Sequence, residues 1–422
     1  MVSGGLQSVT KTNGGGHNVL NRSGRKATVM VVGFNSRPIA CLAMQLDLRV
    51  IAVDYWGDLD IKNCADGLLM VLQQKHGEHL RHASKKPLCE LLVDLAEKGA
   101  DRFGEVDFIL LGSGLDDRPD LWARLSRIAP ILGNPPEKLK VVRNPSKLFT
   151  IARGLGISCP KTKKATSPEE ALEIAKKIGS TVVLKPMSGS GGSRIRLGGD
   201  PEEVKKHFRD VARESGEVWV QEYIRGVDAS SSIVGNGSEC RVVSVNEQLV
   251  GMEQLGASKP FSYCGNIVPL KANGRVIKRI REVSSALGKK LGLIGSNGFD
   301  FVIDPNKQPY LIEVNPRFQA TLECIQYVTR LNLVEEHIKA CGGELPKNVP
   351  EPQGFAVKMI IFAKKKGIVP DLSGIKSVFD ISHPGVIVDK GDPICTVQVV
   401  AEERKRAINK AWENVLEIYG AR

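Results

Sequence analysis

The sequence predicts a mixed α/β and α+β protein, with a parallel α/β domain first, a larger mixed domain next and a small β-rich lobe at the end. Three observations support this fold class. The chain has 422 residues, which is enough for about three domains. A strand–helix–strand pattern begins at Ala27. Two alternating apolar runs flank a turn between Gly298 and Gln319.

Composition argues against two broad classes of protein. With 42% hydrophobic and 25% charged residues the chain is typical of a soluble globular protein. No apolar run approaches the roughly 18 residues that a membrane-spanning helix needs. The net charge of +12 is spread along the chain without a nucleic-acid-binding motif, and anionic small substrates explain it equally well. We therefore expect neither a membrane nor a nucleic-acid partner.

The cysteines and the first residues bear on the location of the protein. The nine cysteines are an odd number and none has CxxC spacing, so neither a zinc ribbon nor a complete disulfide framework is indicated. Residues 1–25 contain GGG and no acidic side chain, and the glycines disfavour the amphipathic helix of a transit peptide. We expect a disordered tail over residues 1–25 and a cytoplasmic protein.

The first regular segment follows this tail. Its apolar runs predict a strand from Thr28 to Val32, a helix that begins near Pro38, and a second strand from Arg49 to Asp54. The run at 107–112 predicts a further strand of the same parallel sheet. The first loop has one glycine, Gly33, where a dinucleotide-binding loop would have three, which disfavours an NAD site. A ligand is still expected at the carboxyl ends of these strands.

Three histidines, His76, His79 and His82, repeat at three-residue spacing and could share one face of a helix. A metal site is one interpretation of this spacing. Gly77 weakens a helix at this point, and lysines and arginines surround the histidines. A solvated basic face is therefore favoured over a metal site.

Two helices are predicted after a proline-rich linker at 135–145. The first begins at Pro145 and carries Lys147. The second runs from Ser167 to Gly179, with Ser167 as its N-cap.

The segment VVLKPMSGSGGSRIRL, residues 182–197, places an apolar strand and Lys185 before a loop of glycines and serines. Free backbone N–H groups and an ammonium group together form a cradle for phosphate. A P-loop has its lysine after the glycines, and a protein kinase has its glycines before a strand lysine. The order of residues therefore excludes both of these phosphate-binding motifs.

A weaker indication of a nucleotide site is the segment VWVQEYIRGVDAS, residues 218–230. It predicts a strand that ends in a short connector, whose backbone could pair with the edge of an adenine ring. Asp228 follows, at a position suited to ribose hydroxyls. An edge strand with a solvated aspartate is at least as common, so this segment alone leaves both interpretations open.

The strongest pattern is GFDFVIDPNKQPYLIEVNPRFQ, residues 298–319, which predicts a β-hairpin. If its turn centres on the NK pair, Asp300 lies opposite Glu313, and Asn315 shares their face. Facing carboxylates are costly unless a cation lies between them, and an all-oxygen set suits a magnesium ion that bridges nucleotide phosphates. The alternative, in which arginines pair with both carboxylates, is less favoured because the neighbouring residues are apolar.

From about Pro145 to Gly343 the chain resembles the ATP-grasp superfamily, in particular its carboxylate-amine ligases and biotin-carboxylase-like members. The resemblance rests on the order of four features: an early helix lysine, a strand lysine before a Gly/Ser loop, a strand-to-linker adenine segment, and an acidic hairpin that ends in ExNxR. It implies a pre-ATP-grasp domain at 26–140, a two-lobed ATP-grasp domain at 141–345 and a β-rich C-terminal lobe at 346–422.

The same resemblance implies a role for each matching residue. Lys147 and Lys185 would contact the ATP phosphates, and Arg317 would steady the reacting carboxylate, so Arg317 and Lys185 are the expected catalytic residues. The other residues would bind the cofactors: Ser188, Gly189, Ser190, Gly191, Gly192 and Ser193 the phosphates, Gln221, Glu222, Tyr223 and Ile224 the adenine, Asp228 the ribose, and Asp300, Glu313 and Asn315 the Mg²⁺ or Mn²⁺ ion. Family members often have Glu at the positions of Gln221 and Asp228, which bears on the adenine and ribose contacts only.

The implied activity is ATP-dependent ligation: a carboxylate becomes an acyl phosphate that an amine or related nucleophile attacks, with ADP and phosphate as products. Small-molecule carboxylate and amine substrates are the expected partners, and a homodimer is compatible with the resemblance. Two alternatives stay open, a bicarbonate-dependent carboxylase and a non-catalytic ATP-binding module. Cys264 and Cys324 have no recognisable histidine partner and are expected to be core thiols.

Overall fold

The structure, a computed structural model, describes residues 25–80, 84, 86–189, 191–192 and 194–420. Most of the predicted tail therefore lies outside the described residues, as do His82, Ser190 and Ser193. Within the described ranges the strands form sheets of five, eight and four strands and a two-stranded ribbon, which confirms the predicted mixed fold class. No helix in this part of the chain is long and apolar enough to cross a membrane.

A parallel sheet begins the fold, with the strand order β3-β2-β1-β4-β5. Its central strand is buried along its whole length, because the side chains on its two faces pack into two different apolar cores. The predicted strand–helix–strand unit and the strand at 107–112 are confirmed. The elements are β1 (Thr28–Gly33), α1 (Arg37–Met44), β2 (Arg49–Asp54), β3 (Gly67–Met70), α2 (Leu88–Phe103), β4 (Phe108–Leu111), α3 (Pro119–Leu125), β5 (Ile131–Leu132) and α4 (Pro136–Val142).

An antiparallel sheet of four strands follows, in the order β6-β9-β7-β8. The two helices predicted here are confirmed, and the side chains of Asn144 and Ser167 cap them by accepting from backbone N–H groups. The elements are α5 (Pro145–Gly154), β6 (Thr162–Ala165), α6 (Pro168–Ile178), β7 (Val182–Pro186), β8 (Arg196–Gly198), α7 (Pro201–Val211) and β9 (Val218–Glu222). The Gly/Ser loop connects β7 to β8.

The largest sheet is antiparallel throughout, with the order β14-β13-β10-β11-β12-β15-β19-β17. Strands from the C-terminal segment therefore continue the sheet in which the predicted hairpin lies. The proposed domain limits at 140 and 345 stay predictions. The elements are β10 (Val227–Asn236), β11 (Cys240–Val250), β12 (Tyr263–Val268), α8 (Gly274–Leu291), β13 (Ile294–Ile303), β14 (Pro309–Asn315), α9 (Leu322–Thr329), α10 (Leu333–Cys341), β15 (Phe355–Phe362), β16 (Gly367–Ile368), β17 (Val378–Phe379), β18 (Ile387–Val388), β19 (Pro393–Ala401) and α11 (Arg404–Gly420).

Buried ion pairs connect the parallel sheet to the rest of the molecule. The Arg37 guanidinium on α1 donates to both carboxylate oxygens of Glu323 on α9, at 2.9 and 3.0 Å. It also donates to Asp380 Oδ1, just after β17, at 2.6 Å. All three side chains are almost completely buried.

A disulfide joins Cys41 on α1 to Cys64. The spacing of these two cysteines did not predict the pairing. The other seven cysteines are free.

Candidate active site

A cavity of about 630 Å³ lies between the three sheets. Its walls come from the loops after β1 and β4, from β7, β9 and the Gly/Ser loop, and from β10 to β15 of the largest sheet. The parallel strands thus present their carboxyl ends to the cavity, where a ligand was expected. Among the described residues, every predicted site residue except Lys147 lines this cavity.

The acidic hairpin has the predicted pairing of the two carboxylates, but its turn does not centre on the NK pair, because Ile303 pairs with Pro309. Asp300 on β13 pairs with Glu313 on β14, and Asn315 lies opposite Gly298. The turn closes through Asp304, whose carboxylate accepts from the backbone N–H of Gln308 at 2.7 Å. A bulge between Asp300 and the next residue shifts the register once, so the carboxylate pair lies just beyond an irregular step in the strand.

Asp300 is the most constrained carboxylate of the site. Its Oδ1 accepts from Gln248 Nε2 on β11 at 2.8 Å, and its Oδ2 accepts from Asn315 Nδ2 at 2.9 Å. Burial and the charge of Glu313 raise the pKa of Asp300 to about 7, against the opposing effect of these hydrogen bonds. Glu313 is more open, with its side chain 44% exposed, and its carboxylate lies 4.0 Å from Arg143 Nη1.

The side chains of Asp300, Glu313 and Asn315 fit a divalent cation. Burial and then the charge of the facing Glu313 carboxylate raise the pKa of Asp300, and a cation between the two carboxylates would relieve their repulsion. The Asn315 amide donates through Nδ2, which leaves its oxygen available to a ligand. Oxygen donors of this kind are those that Mg²⁺ prefers. No group of three His, Cys, Asp or Glu side chains suited to a metal occurs in the described ranges, so the amide and a ligand's own oxygens would complete the coordination.

Lys185 lies on β7 and is half-buried against the cavity. Burial lowers its pKa, while the charges of Glu313 and Asp300 oppose that shift. Lys147 is exposed on α5 and does not line the cavity. Arg143, at the end of α4 and four residues before Lys147, does line it. A second cation is therefore present near the Gly/Ser loop, but it comes from a residue that was not predicted from the sequence.

The Gly/Ser loop rests on the parallel domain. The Gly189 N–H donates to Asp117 Oδ2 at 2.8 Å, and Arg143 Nη2 donates to the Gly189 carbonyl at 2.9 Å. Gly192 has a φ of +70°, and a Cβ there would collide with the Phe261 carbonyl, so only glycine fits. Ser188 and Gly191 also line the cavity, whereas Ser190 and Ser193 are outside the described residues.

The other end of the cavity is formed by β9 and its connector. The N–H groups of Glu222 and Tyr223 already donate to Lys161 and Thr181 carbonyls, at 2.8 and 3.0 Å. The Gln221 side chain donates to Thr162 Oγ1 at 3.1 Å. The backbone of Ile224, which has no such hydrogen bond among the described residues, also lines the cavity.

Asp228 lies at the same end of the cavity. Burial raises its pKa to about 6. Its carboxylate lines the cavity and accepts no hydrogen bond from the described residues, so it is available to hydroxyl groups of a ligand.

Arg317 follows the hairpin in the sequence. It lines the cavity on the side of the loop after β4. Its Nε donates to Asp116 Oδ2 at 2.5 Å, and its Nη1 donates to the Phe318 carbonyl at 2.9 Å. Asp116 and Asp117 both lie in the loop after β4. This one loop therefore holds two of the arginines that line the cavity.

Residues 145–321 match the ATP-grasp domain family. The chain contains an ATP-grasp domain. The matched range begins at the first residue of α5 and ends just after the hairpin, so it includes every site residue that the order of motifs predicted. The resemblance found in the sequence is therefore confirmed.

Similarity extends beyond the ATP-grasp domain. The uncharacterized protein MJ0776 of Methanocaldococcus jannaschii is 27% identical over 398 residues, which cover 93% of each chain. Among solved structures, biotin carboxylase of Campylobacter jejuni in complex with β,γ-ATP aligns over 93% of this chain and 91% of its own, with a TM-score of 0.73 and 19% identity.

Two further structures have the same architecture. The biotin carboxylase domain of 2-oxoglutarate carboxylase from Hydrogenobacter thermophilus, a dimer with MgADP and bicarbonate, has a TM-score of 0.72 at 17% identity and covers 92% of this chain and 89% of its own. The N5-carboxyaminoimidazole ribonucleotide synthetase PurK, with ADP, has a TM-score of 0.69 at 14% identity and covers 93% and 97%. These likenesses show a shared fold over the aligned part of the chain, on both sides of the ATP-grasp domain.

Five residues around the ATP-grasp cavity were missed from the sequence: Asp116, Asp117, Arg143, Gln248 and Lys358. A signal existed for the two aspartates, since they lie in the loop after a buried parallel strand. Lys358 also had one, because a lysine inside the apolar run FAVKMIIF needs a buried partner or ligand. Nothing local distinguishes Arg143 from the other basic residues of its segment.

Two other sequence features lie away from the cavity. His76 and His79 are exposed, and His79 Nδ1 lies 3.9 Å from an Asp389 carboxylate oxygen. No metal group includes them among the residues described. Cys264 and Cys324 are buried, and burial raises the pKa of both thiols, which confirms them as core cysteines.

Proposed function

We propose that the protein is an ATP-dependent ligase that activates a carboxylate as an acyl phosphate and couples it to an amine. The observation that carries this proposal is the cavity itself, in which the carboxylates of Asp300 and Glu313 share the walls with the cations of Lys185 and Arg317. Fixed charges of both signs in one enclosed site suit phosphoryl transfer, which asks the protein mainly for positioning and charge stabilisation.

The nucleotide would lie along the cavity from β9 to the hairpin. The adenine would occupy the pocket formed by Gln221, Glu222, Tyr223 and Ile224, with the backbone of Ile224 at its edge. Asp228 would accept hydrogen bonds from the ribose hydroxyls. Lys185 and the N–H groups of the Gly/Ser loop would hold the phosphates, with Arg143 beside them. A role for Lys147 rests on the family resemblance alone.

Asp300, Glu313 and Asn315 would hold a magnesium or manganese ion against the phosphates. When bound, the ion neutralises the negative charge of the phosphates during transfer. The two carboxylates orient it, and the hydrogen bonds from Gln248 and Asn315 fix the Asp300 side chain in place for this task.

The reaction itself has two steps. A substrate carboxylate oxygen attacks the γ-phosphorus, and the bond to the ADP oxygen breaks. The amine nitrogen then attacks the acyl carbon, the bond to the phosphate oxygen breaks, and the nitrogen loses a proton. Arg317, held by Asp116, would stabilise the negative charge on the reacting carboxylate and the acyl phosphate.

A second candidate is a carboxylase that phosphorylates bicarbonate. The observation that favours it is the likeness to biotin carboxylases, one of which was solved with bicarbonate bound. Release of ADP that depends on bicarbonate, and on no other acid, would identify this activity. A third candidate, an ATP-binding module without catalysis, would bind the nucleotide and release no ADP with any acid.

Hydroxylamine trapping tests the favoured reaction. The protein is incubated with MgATP, hydroxylamine and a panel of amino acids and other small carboxylic acids. We expect the true substrate to give its hydroxamate together with ADP and phosphate, because hydroxylamine intercepts acyl phosphates. Formation of AMP and pyrophosphate would show adenylation instead and would overturn the proposal.

We also propose that the ligase is a cytoplasmic homodimer. The related Hydrogenobacter domain was solved as a dimer. Seven of the nine cysteines of this chain are free, as in a reducing compartment, although the Cys41–Cys64 disulfide is not typical of one. Light scattering coupled to size-exclusion chromatography would show one species of twice the 45.9 kDa chain mass if the dimer forms.

A further inference from the structure

A row of polar side chains crosses the largest sheet beside the cavity. Gln248 on β11 pairs with Asn266 on β12, Asn266 pairs with Lys358 on β15, and Lys358 pairs with Gln398 on β19. Residues paired directly across neighbouring strands point to the same face of a sheet. Four polar residues therefore stand side by side on one face, and three of them are fully buried.

The row begins with Gln248, whose side chain contacts the hairpin, and continues across the sheet away from it. Gln248 on β11 donates to Asp300, which lies two strands away on β13. Lys358 is two strands beyond Gln248 in the other direction, which at the spacing of neighbouring strands is about 10 Å from Gln248, and it is four strands from Asp300. Both Gln248 and Lys358 line the cavity. The cavity thus extends from the acidic pair to Lys358.

Lys358 has unused hydrogen-bonding capacity. Its side chain is 3% exposed, and its one hydrogen-bond partner among the described residues is Glu323 Oε2, at 3.4 Å. Glu323 is already occupied: Arg37 donates to both of its oxygens, and Gln398 Nε2 donates to Oε2 at 2.9 Å. An ammonium group has three hydrogens to donate, so two of them lack an acceptor.

The carboxylate that pairs with Lys358, Glu323, does not line the cavity. The carboxylates that line the cavity, within the described ranges, are Glu222, Asp228, Asp300 and Glu313, and all four belong to the proposed nucleotide and metal sites. The other lining residues include neutral polar groups such as Tyr263 and Thr321. A buried ammonium group on a cavity wall suits an anionic group of a ligand.

We propose that the part of the cavity beside Lys358 binds a carboxylate group of the ligase's co-substrate, with Lys358 as the residue that recognises it. The inference rests on the proposed function for the identity of the ligand as a co-substrate. The co-substrate is then a molecule with an anionic group that reaches past Gln248 to Lys358, such as an amino acid or a dicarboxylic acid.

Ligand-observed NMR tests this proposal without knowledge of the substrate. Saturation transfer is measured on the wild-type protein with MgADP, using pairs of a small carboxylate and its neutral amide, propionate with propionamide and glutarate with glutaramide. We expect the carboxylates to bind about tenfold more tightly than the amides, as one charge-assisted contact would give. Equal binding of the two members of each pair, or no binding of either carboxylate, would overturn the proposal.

Variants at Lys358 test whether this residue causes the preference for carboxylates over amides. Lys358→Met should abolish the preference for carboxylates, Lys358→Arg should retain it, and Lys366→Met, at an exposed position near the end of β15, should leave it unchanged. A preference that persists in a folded Lys358→Met protein would contradict the assignment. If Lys358→Met does not fold, the wild-type comparison and Lys358→Arg still decide the matter.

A second measurement distinguishes a failure of this inference from a failure of the proposed function. Binding of a fluorescent ADP analogue is measured on the same samples. Carboxylate binding that depends on Lys358 in a protein without affinity for nucleotide would refute the ligase and retain an anion site. Nucleotide binding without any carboxylate preference would refute this inference and leave the ligase intact.

Discussion

Lys185 and Lys147 illustrate how the position of a lysine decides whether its charge reaches a ligand. Lys185 is half-buried on a strand at the cavity wall, whereas Lys147 is exposed on a helix. Replacement of Lys185 by Met should weaken binding of MgADP about 10- to 100-fold, because a charge-assisted contact to phosphate is lost. Fluorescence titration with an ADP analogue measures the change.

The matched control is Lys163→Met, an exposed strand lysine outside the cavity, for which we expect unchanged affinity. Wild-type affinity in a folded Lys185→Met protein would remove Lys185 from the proposed phosphate site.

If Asp300 is a metal ligand as proposed, metal binding should depend on pH. Its pKa of about 7 lies above the ordinary value, so the proton must leave before a metal can bind. Below pH 7 we expect the affinity for Mn²⁺ to fall by about tenfold per pH unit, and above pH 7 it should level off. Electron paramagnetic resonance of free Mn²⁺ measures this affinity.

The variant Glu313→Gln tests whether the charge of Glu313 contributes to the raised pKa of Asp300. Removal of the neighbouring charge should return the pKa of Asp300 toward its ordinary range, so the midpoint of the pH dependence should move to lower pH while the overall affinity falls. A midpoint that does not move would show that Glu313 is not the charge that Asp300 senses.

At the scale of elements, the hairpin shows what a local sequence determines. The alternation of apolar residues and the turn residues between them predict the hairpin, whereas the pairing of Asp300 with Glu313 also depends on a bulge after Asp300 that the sequence did not predict. The capped helices α5 and α6 follow from local residues in the same way.

The polar row shows what a local sequence leaves undetermined. Its register depends on β15 lying between β12 and β19, a neighbour relation that no local pattern encodes. The contact of Arg317 with Asp116 joins residues 201 positions apart. Arg143 rather than Lys147 reaches the cavity because of how the connection between α4 and α5 packs, which composition does not specify.

The Gly/Ser loop and the loop after β4 act together as one unit. Asp117 accepts from Gly189 N–H and from Arg143, so Asp117→Asn should weaken this attachment. We expect faster hydrogen exchange of the Gly189 amide in the ligand-free protein, measured by NMR, and little change once MgATP is bound.

Asp120→Asn is the control, since Asp120 pairs with Arg118 on the surface. Exchange at Gly189 that is the same in the Asp117→Asn and wild-type proteins would show that Asp117 does not hold the loop.

At the scale of the whole molecule, the buried Arg37 pairs join three distant parts of the chain. Arg37→Met leaves the buried carboxylates of Glu323 and Asp380 with fewer partners, so we expect a loss of about 3–5 kcal/mol in the free energy of unfolding. Urea denaturation measures this loss.

Lys278→Met removes a cation from an exposed pair with Glu282 and should cost at most about 0.5 kcal/mol. A loss for Arg37→Met as small as that of this surface variant would show that the network contributes no more than a surface pair.

The eight-stranded sheet bears on which segments of such a chain can be exchanged by recombination between genes. Its central strands β12 and β15 are hydrogen-bonded to each other, although they lie on opposite sides of residue 345 in the sequence. Loss of the segment after that residue would uncover the edge of β12 and leave an unpaired strand prone to aggregation. Recombination between genes can therefore exchange the four-stranded sheet, which shares no strand with its neighbours, more readily than it can separate the C-terminal segment from the hairpin.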